Sequence, residues 1–121
     1  MAEHKAKRID VHSHVIPAEM LHALEANPSR YEMRVDAEHH RLVRPGGGAL
    51  PLFDEFSDPA AKIAGMDRKG LDISVLSPAP FVLFYWMDVD IALEASRIIN
   101  DGIATMASAY PDRLFLSLIH I

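Results

Sequence analysis

Segments with the pattern of a strand alternate with segments with the pattern of a helix, and this order limits the folds open to the chain. The clearest helix begins at Asp58-Pro59, an N-cap carboxylate before a proline, and ends at Gly70, which suits a left-handed cap. The segment LDISVLS follows and predicts a buried strand, because it is rich in β-branched and apolar residues. Strands joined by helices predict a parallel sheet with right-handed crossovers, and therefore an α/β fold.

Further predicted strands and helices lie on both sides of this helix and strand. RIDVHSH predicts a first strand, and Pro17 then begins a helix. Residues 28–57 follow as an insertion or cap, with a possible small hairpin and a flexible GGG turn. Asp88 is predicted to cap a long helix over residues 90–109, and LFLSLIHI predicts a third strand. The apolar stripes of the two helices are Met20, Leu21 and Leu24, and Ala92, Ala95, Ile99, Ile103 and Met106.

Composition narrows the function classes. The 121 residues are enough for one domain, and half of them are hydrophobic. There is no cysteine, so a metal would have to take His, Asp or Glu ligands. The formal net charge is −5 and the basic cluster at residues 5–8 is small, which argues against a nucleic-acid partner. No apolar run suits a membrane span or a signal peptide, so we expect a cytoplasmic protein.

Two histidines, His12 and His14, stand at the end of the first predicted strand. Residues i and i+2 of a strand share a face, so two neutral imidazoles there could share one divalent metal, with Asp10 as a supporting carboxylate. With 7 histidines in 121 residues, roughly 0.4 such pairs are expected by chance in each chain. Its position adds weight, since parallel α/β folds bind ligands at the carboxyl ends of strands. The alternative is a hydrogen-bonded, purely structural pair.

Other candidate groups carry weaker signals. His39 and His40 have opposite parity in an extended chain, so we interpret them as surface polar residues. Aromatic side chains are dense in the second half of the insertion and after the second predicted strand, where they form either a core or the lining of a substrate pocket. They are Phe53, Phe56, Phe81, Phe84, Tyr85 and Trp86.

Three blocks of the sequence, IDVHSHVIP, MDRKGLDISVLSPAPFVLFYW and ASRIINDGIATMASAYPDRLF, resemble the amidohydrolase superfamily. The resemblance is to its amidohydrolase-2 branch, typified by aminocarboxymuconate-semialdehyde decarboxylase. It implies the N-terminal part of a (β/α)8 TIM barrel, truncated after about three strands, since a whole barrel needs roughly 250 residues. Residues 1–115 would then be a partial barrel domain, with 28–57 as its insertion.

The resemblance also implies a site. His12 and His14 would be metal ligands, usually for zinc, and later strands would supply the remaining ligands and the catalytic residues. An arginine of the insertion would bind a carboxylate of a small-molecule substrate; RLVR offers Arg41 or Arg44, and the match favours Arg41. The whole protein would be a decarboxylase of a small unsaturated or aromatic carboxylic acid, or alternatively a metal-dependent hydrolase. A homodimer is a further expectation.

The last six residues, LSLIHI, depart from the family pattern. They can be encoded by CTG TCT CTT ATA CAC ATC, which looks like a transposon-end adapter used in DNA library preparation. We therefore expect residues 116–121 to be translated adapter and exclude His120 as a ligand. The remaining alternatives for these 121 residues are a non-catalytic metal-binding module and an inactive fragment, of which we favour the fragment.

Overall fold

A three-stranded parallel sheet and the helices that connect its strands form the larger part of the computed structural model, which describes residues 5–117. The sheet has the strand order β1 (Ile9–Val15), β5 (Ile73–Pro78) and β6 (Leu114–Leu116). Both neighbouring pairs are parallel, so the predicted α/β class is confirmed. The other elements are α1 (Ala18–Ala26), α2 (Pro28–Tyr31), β2 (Arg34–Asp36), β3 (Arg41–Val43), β4 (Ala49–Pro51), α3 (Pro59–Lys69) and α4 (Val89–Ala109), with 3₁₀ turns at Asp54–Phe56 and Pro80–Val82.

The core lies between the sheet and its crossover helices. From the sheet, Val15 and Leu76 are fully buried and Leu114 nearly so. The predicted apolar stripes meet them: Met20 and Leu24 of α1 are fully buried, while Leu21 is only partly buried. Of the α4 stripe, Ala95, Ile99, Ile103 and Met106 are buried and Ala92 is partly buried. The helical spacing of apolar residues therefore predicted which helix faces cover the sheet.

Both predicted ends of α3 are confirmed. The carboxylate of Asp58 accepts a hydrogen bond from the backbone N–H of Ala60 at 3.0 Å, and Gly70 ends α3 in the left-handed region at φ 70°. Asp88 stands at the N-cap of α4, but its side chain makes no capping hydrogen bond, so its predicted capping role was wrong.

The insertion is richer than the small hairpin predicted for it. Strands β2, β3 and β4 form an antiparallel sheet of three strands, in which Gly46 and Gly47 adopt positive φ at the tight turn between β3 and β4. The four-residue helix α2 was not predicted. It begins at Pro28, because proline suits the first turn of a helix.

A β-bulge interrupts β1. Asp10 pairs with Ser74 and Ser13 pairs with Leu76, so two residues of β1, Val11 and His12, lie opposite a single residue of β5. Ser13 and Leu76, its register partner on β5, are both buried. The extra residue shifts Asp10 out of the parity of the histidines, so the prediction that it shares their face was wrong.

The described chain ends just beyond β6, where the backbone N–H of Ser117 donates to the carbonyl oxygen of Leu76 at 2.7 Å. Residues 118–121, with His120, lie outside the described residues. The adapter origin of residues 116–121 therefore stays a prediction. Within the described residues, no helix is long and apolar enough to cross a membrane.

Candidate metal centre

The two histidines predicted as a pair meet at the carboxyl end of β1. Their Nε2 atoms lie 2.8 Å apart and their ring centres 4.5 Å apart, with the ring planes at 72°. At this distance one Nε2 donates a hydrogen bond to the other, so the two nitrogens face the same small volume, and a shared metal would take the place of that proton. His12 is exposed and His14 is partly buried, so this volume is open to solvent.

The backbone of β1 is held at both histidines. The Asp10 carboxylate accepts a hydrogen bond from the His12 backbone N–H at 3.1 Å. His14 stands in register with Ser77 of β5, beyond the bulge. Asp10 was expected to support an imidazole; its observed partner is instead the main chain of the bulge.

Charge and burial around His14 favour its neutral form. Partial burial lowers the pKa of His14, and the nearby His12 and Lys62 lower it further, while the Asp10 carboxylate acts in the opposite direction. A metal ligand must be a neutral imidazole, so these surroundings suit ligation.

A lysine that the sequence reasoning missed lies beside the pair. Lys62 of α3 is only 8% exposed, and its Nζ lies 3.4 Å from the carbonyl oxygen of His14. Burial lowers the pKa of Lys62, an effect that Glu55 and Asp10 oppose. A signal existed in the sequence: Lys62 stands four residues before buried Met66, on the helix face that carries the apolar contacts.

Two imidazole nitrogens are donors of the kind that divalent metals bind. Bonds of about 2.0–2.1 Å in a tetrahedral site place two nitrogens roughly 3.4 Å apart, so the imidazoles would have to separate by about half an ångström. Two histidines make half of a four-ligand site. No group of three or more His, Cys, Asp or Glu side chains within residues 5–117 is arranged to hold a metal ion.

Arg41, the predicted substrate-binding arginine, lies on β3 of the insertion. Its Nε donates to Asp36 Oδ2 at 2.9 Å across the β2–β3 pair. This hydrogen bond, assisted by His39, lowers the pKa of Asp36 to about 2. His39 and His40 are exposed, as predicted. The structure thus assigns Arg41 a contact within the insertion, and a role in substrate binding stays a prediction.

Arg44, the other arginine of RLVR, joins the insertion to the loop after β5. Its Cζ atom lies 4.0 Å from the ring centre of Phe81 and 4.2 Å from that of Trp86, and its Nη2 donates to the Phe81 carbonyl oxygen at 2.8 Å. Phe84 is fully buried and packs between Tyr31 and Trp86. The aromatic segment therefore serves partly as core and partly as an arginine contact.

A cavity of about 450 Å³ lies within the insertion, between α2 and the strands β2 and β3. Its lining comprises Pro28, Ser29, Glu32, Met33, Arg34, Val43, Arg44 and Pro45, and includes neither histidine of the pair. The concave surface and the candidate ligands are therefore separate features of the described chain.

Comparisons with known proteins agree with the predicted resemblance. A 2-amino-3-carboxymuconate-6-semialdehyde decarboxylase of Dictyostelium discoideum is 28% identical over 114 residues, which are 90% of this chain and 31% of the relative. The protein of the same name from Caenorhabditis elegans is 28% identical over 117 residues, 93% of this chain and 29% of the relative. The chain resembles decarboxylases of the amidohydrolase-2 type. It spans about three tenths of the length of these relatives, and no family model matches it.

A solved structure shows the same fold. The 5-carboxyvanillate decarboxylase of Novosphingobium aromaticivorans, complexed with manganese and 4-hydroxy-3-methoxy-5-nitrobenzoic acid, superposes with a TM-score of 0.64 at 17% identity. The match covers 99% of this chain and 35% of that one. The predicted α/β class is therefore confirmed, and this chain corresponds to about a third of the length of that decarboxylase.

Proposed function

We propose that this chain is part of a metal-dependent decarboxylase that acts on a small unsaturated or aromatic carboxylic acid. The observation that carries the proposal is the convergence of the His12 and His14 Nε2 atoms at the carboxyl end of β1. The resemblance to two semialdehyde decarboxylases and to a manganese-containing carboxyvanillate decarboxylase supports it.

In this proposal His12 and His14 supply two neutral nitrogen ligands to one divalent metal. When bound, the metal would act as a Lewis acid and would lower the pKa of water. The relative with manganese favours a divalent ion in general, so zinc, the metal predicted from the resemblance, stands beside manganese as a candidate. The missing ligands and proton-transfer groups would come from strands of the longer protein, a closed (β/α)8 barrel.

Arg41 is the proposed contact for a substrate carboxylate. Asp36 holds it through Nε, which orients the guanidinium and leaves its two Nη groups to bind an anion. In the longer protein Arg41→Gln would raise KM more than it lowers kcat, because the contact serves binding. A fall in kcat with KM unchanged would contradict this role.

Metal binding tests the proposal on the 121-residue chain itself. Calorimetric titration with Zn²⁺ should show one site of modest affinity, with Kd roughly between 1 µM and 0.1 mM, if half of a four-ligand set retains about half of the binding free energy. Mn²⁺ should bind at the same site more weakly, as it does to nitrogen ligands in general. His12→Ala/His14→Ala should abolish this binding. His39→Ala/His40→Ala, a matched pair on the exposed insertion, should leave it unchanged. Binding that survives the first double substitution contradicts the proposal.

The activity is tested in the longer protein. Genomic sequence beyond Phe115 should encode further strands that end in histidines and an aspartate. The encoded protein, loaded with Mn²⁺ or Zn²⁺, should release CO₂ from aromatic or unsaturated carboxylic acids. Hydrolysis without release of CO₂ would favour the hydrolase alternative. The proposal also keeps cytoplasmic location and homodimer formation as predictions for that protein.

A further inference from the structure

The main chain of the histidine pair is contacted by two groups of opposite charge, and neither contact involves an imidazole. The carboxylate of Asp10 accepts from the His12 N–H at 3.1 Å, and the ammonium of Lys62 lies 3.4 Å from the His14 carbonyl oxygen. The first contact comes from β1 itself and the second from α3. Each histidine is thus held at its own peptide group.

The β-bulge makes the first contact possible. In a regular strand, the side chain of Asp10 would share the face of His12 and point away from the sheet side that packs against the helices. The bulge places Asp10 in register with Ser74 instead, and the carboxylate then reaches the amide of the bulged segment. A bulge leaves a residue unpaired in the ladder, so this hydrogen bond gives the His12 amide a partner.

The second contact has an energetic reason to exist. A lysine that is 92% buried normally pairs with a carboxylate, but among the described residues Lys62 forms no ion pair within 4.0 Å. The Glu55 carboxylate instead pairs with Arg68 and Lys69. The ammonium of Lys62 is therefore directed to a peptide carbonyl at the end of β1.

The geometry points to Asp10 and Lys62 as positioning residues that fix the peptide groups of His12 and His14, so that the two Nε2 atoms converge. Neither residue needs to touch a metal or a substrate. The inference rests on the proposed function for its consequence in metal binding, but the convergence of the rings can be measured without any metal.

The test uses the 121-residue chain and two readouts. The first is the nuclear Overhauser effect between the His12 and His14 ring protons in the metal-free protein, and the second is the Mn²⁺ affinity measured with the metal alone. Asp10→Ala and Lys62→Met should each remove the ring contact and weaken Mn²⁺ binding about tenfold, the lower end of what supporting groups of a metal site contribute. Asp10→Asn keeps an oxygen acceptor and should restore both readouts to near the wild-type values.

Matched controls separate positioning from stability. Asp72→Ala removes another carboxylate hydrogen bond to the main chain just before β1, at the backbone N–H of Arg8, and Lys69→Met removes an exposed lysine of α3. Both should leave the ring contact and the Mn²⁺ affinity unchanged, even where the thermal midpoint falls. The inference is overturned if Asp10→Ala and Lys62→Met leave both readouts unchanged, or if Asp72→Ala changes them as strongly.

The two proposals fail in different ways. If the ring contact is present and depends on Asp10 and Lys62 while no Mn²⁺ binds, the proposed function fails and the positioning role stands. If Mn²⁺ binds through the histidines and its affinity is unchanged by substitutions at Asp10 and Lys62, the positioning role fails and the proposed function stands.

Discussion

Arg44 lies over the ring of Trp86, with its Cζ atom 4.2 Å from the ring centre, and so ties the insertion to the loop that follows β5. Phe81 contributes a second ring and a carbonyl acceptor to the same guanidinium. Cation–π contacts at exposed sites are worth about 0.5–1 kcal/mol each, and a charged hydrogen bond adds to them. Arg44 therefore helps to hold the insertion against the loop that follows β5.

Replacing this arginine should loosen the insertion, and Trp86, the chain's single tryptophan, reports on it directly. Arg44→Ala should shift the tryptophan emission to the red, increase quenching by acrylamide and lower the free energy of unfolding by about 1–2 kcal/mol. Arg44→Lys should give a smaller change, because it keeps the charge without the planar group. Arg34→Ala, an exposed arginine of β2, is the control. Unchanged quenching in Arg44→Ala would contradict the contact.

The Asp36–Arg41 pair predicts a pH dependence of stability. The folded-state pKa of Asp36 is about 2, below its ordinary 3.8, so between these values the unfolded chain binds more protons. The contribution of the pair is therefore complete above about pH 5 and is lost as the pH falls towards 2. Arg41→Gln should raise the pKa of Asp36 and flatten this slope. Carboxyl NMR titration and urea unfolding across this range measure both effects, with Arg34→Gln as control; an unmoved Asp36 pKa would refute the assignment.

Local rules predicted the regular elements because their signals lie in consecutive residues. Asp58-Pro59 and Gly70 mark the two ends of α3, and the spacing of Ile99 and Ile103 marks the buried face of α4. The i, i+2 spacing also predicted the meeting of His12 and His14, although His12 lies in the bulge and His14 just beyond it.

The same local rules did not predict features that depend on tertiary packing. The bulge in β1 depends on the register with β5, which no short segment encodes, and it reversed the predicted side of Asp10. Lys62 shares the helix face of Met66, which indicates burial, but only the packing of α3 places it beside the His14 carbonyl. Arg44 and Arg41 stand three residues apart, and only the fold shows that one contacts aromatic rings and the other a carboxylate.

Alanine substitution at two helix glycines, Gly102 and Gly65, should change the free energy of unfolding by different amounts. A Cβ atom at Gly102 of α4 would lie 2.3 Å from the Cβ atom of Pro17, which the rigid ring cannot withdraw. We expect Gly102→Ala to separate α4 from the start of α1 and to cost about 1–3 kcal/mol of stability. At Gly65 the same atom would meet the carboxylate of Glu55, the far end of a flexible side chain.

Gly65→Ala should therefore be close to neutral, because the carboxylate can move and alanine favours the helix by about 1 kcal/mol. Urea unfolding of both variants measures the difference. Equal losses at the two positions would mean that the approach of Pro17 to α4 is not the limiting contact.

The sheet presents apolar side chains at its two outer strands. Val11 of β1 is 74% exposed and Phe115 of β6 is 48% exposed, and each strand has one edge without a partner among residues 5–117. Unpaired strand edges beside apolar side chains promote association between chains. Sedimentation velocity at tens of micromolar should therefore show oligomers or aggregates of the 121-residue chain.

Charges placed at these edges should reduce the association. Val11→Lys/Phe115→Lys puts an ammonium on both outer strands, whereas Val89→Lys changes an equally exposed valine at the start of α4, away from the sheet. Only the double substitution should shift the distribution of sedimentation coefficients towards the monomer, because lysine on an edge strand opposes pairing with the strand of another chain. A domain of this size has a stability margin of only about 5–15 kcal/mol, and each apolar side chain left unburied forgoes about 1.5–3 kcal/mol. A wild-type chain that sediments as a monomer and unfolds in one cooperative transition would show that the sheet is stable without a partner at either edge.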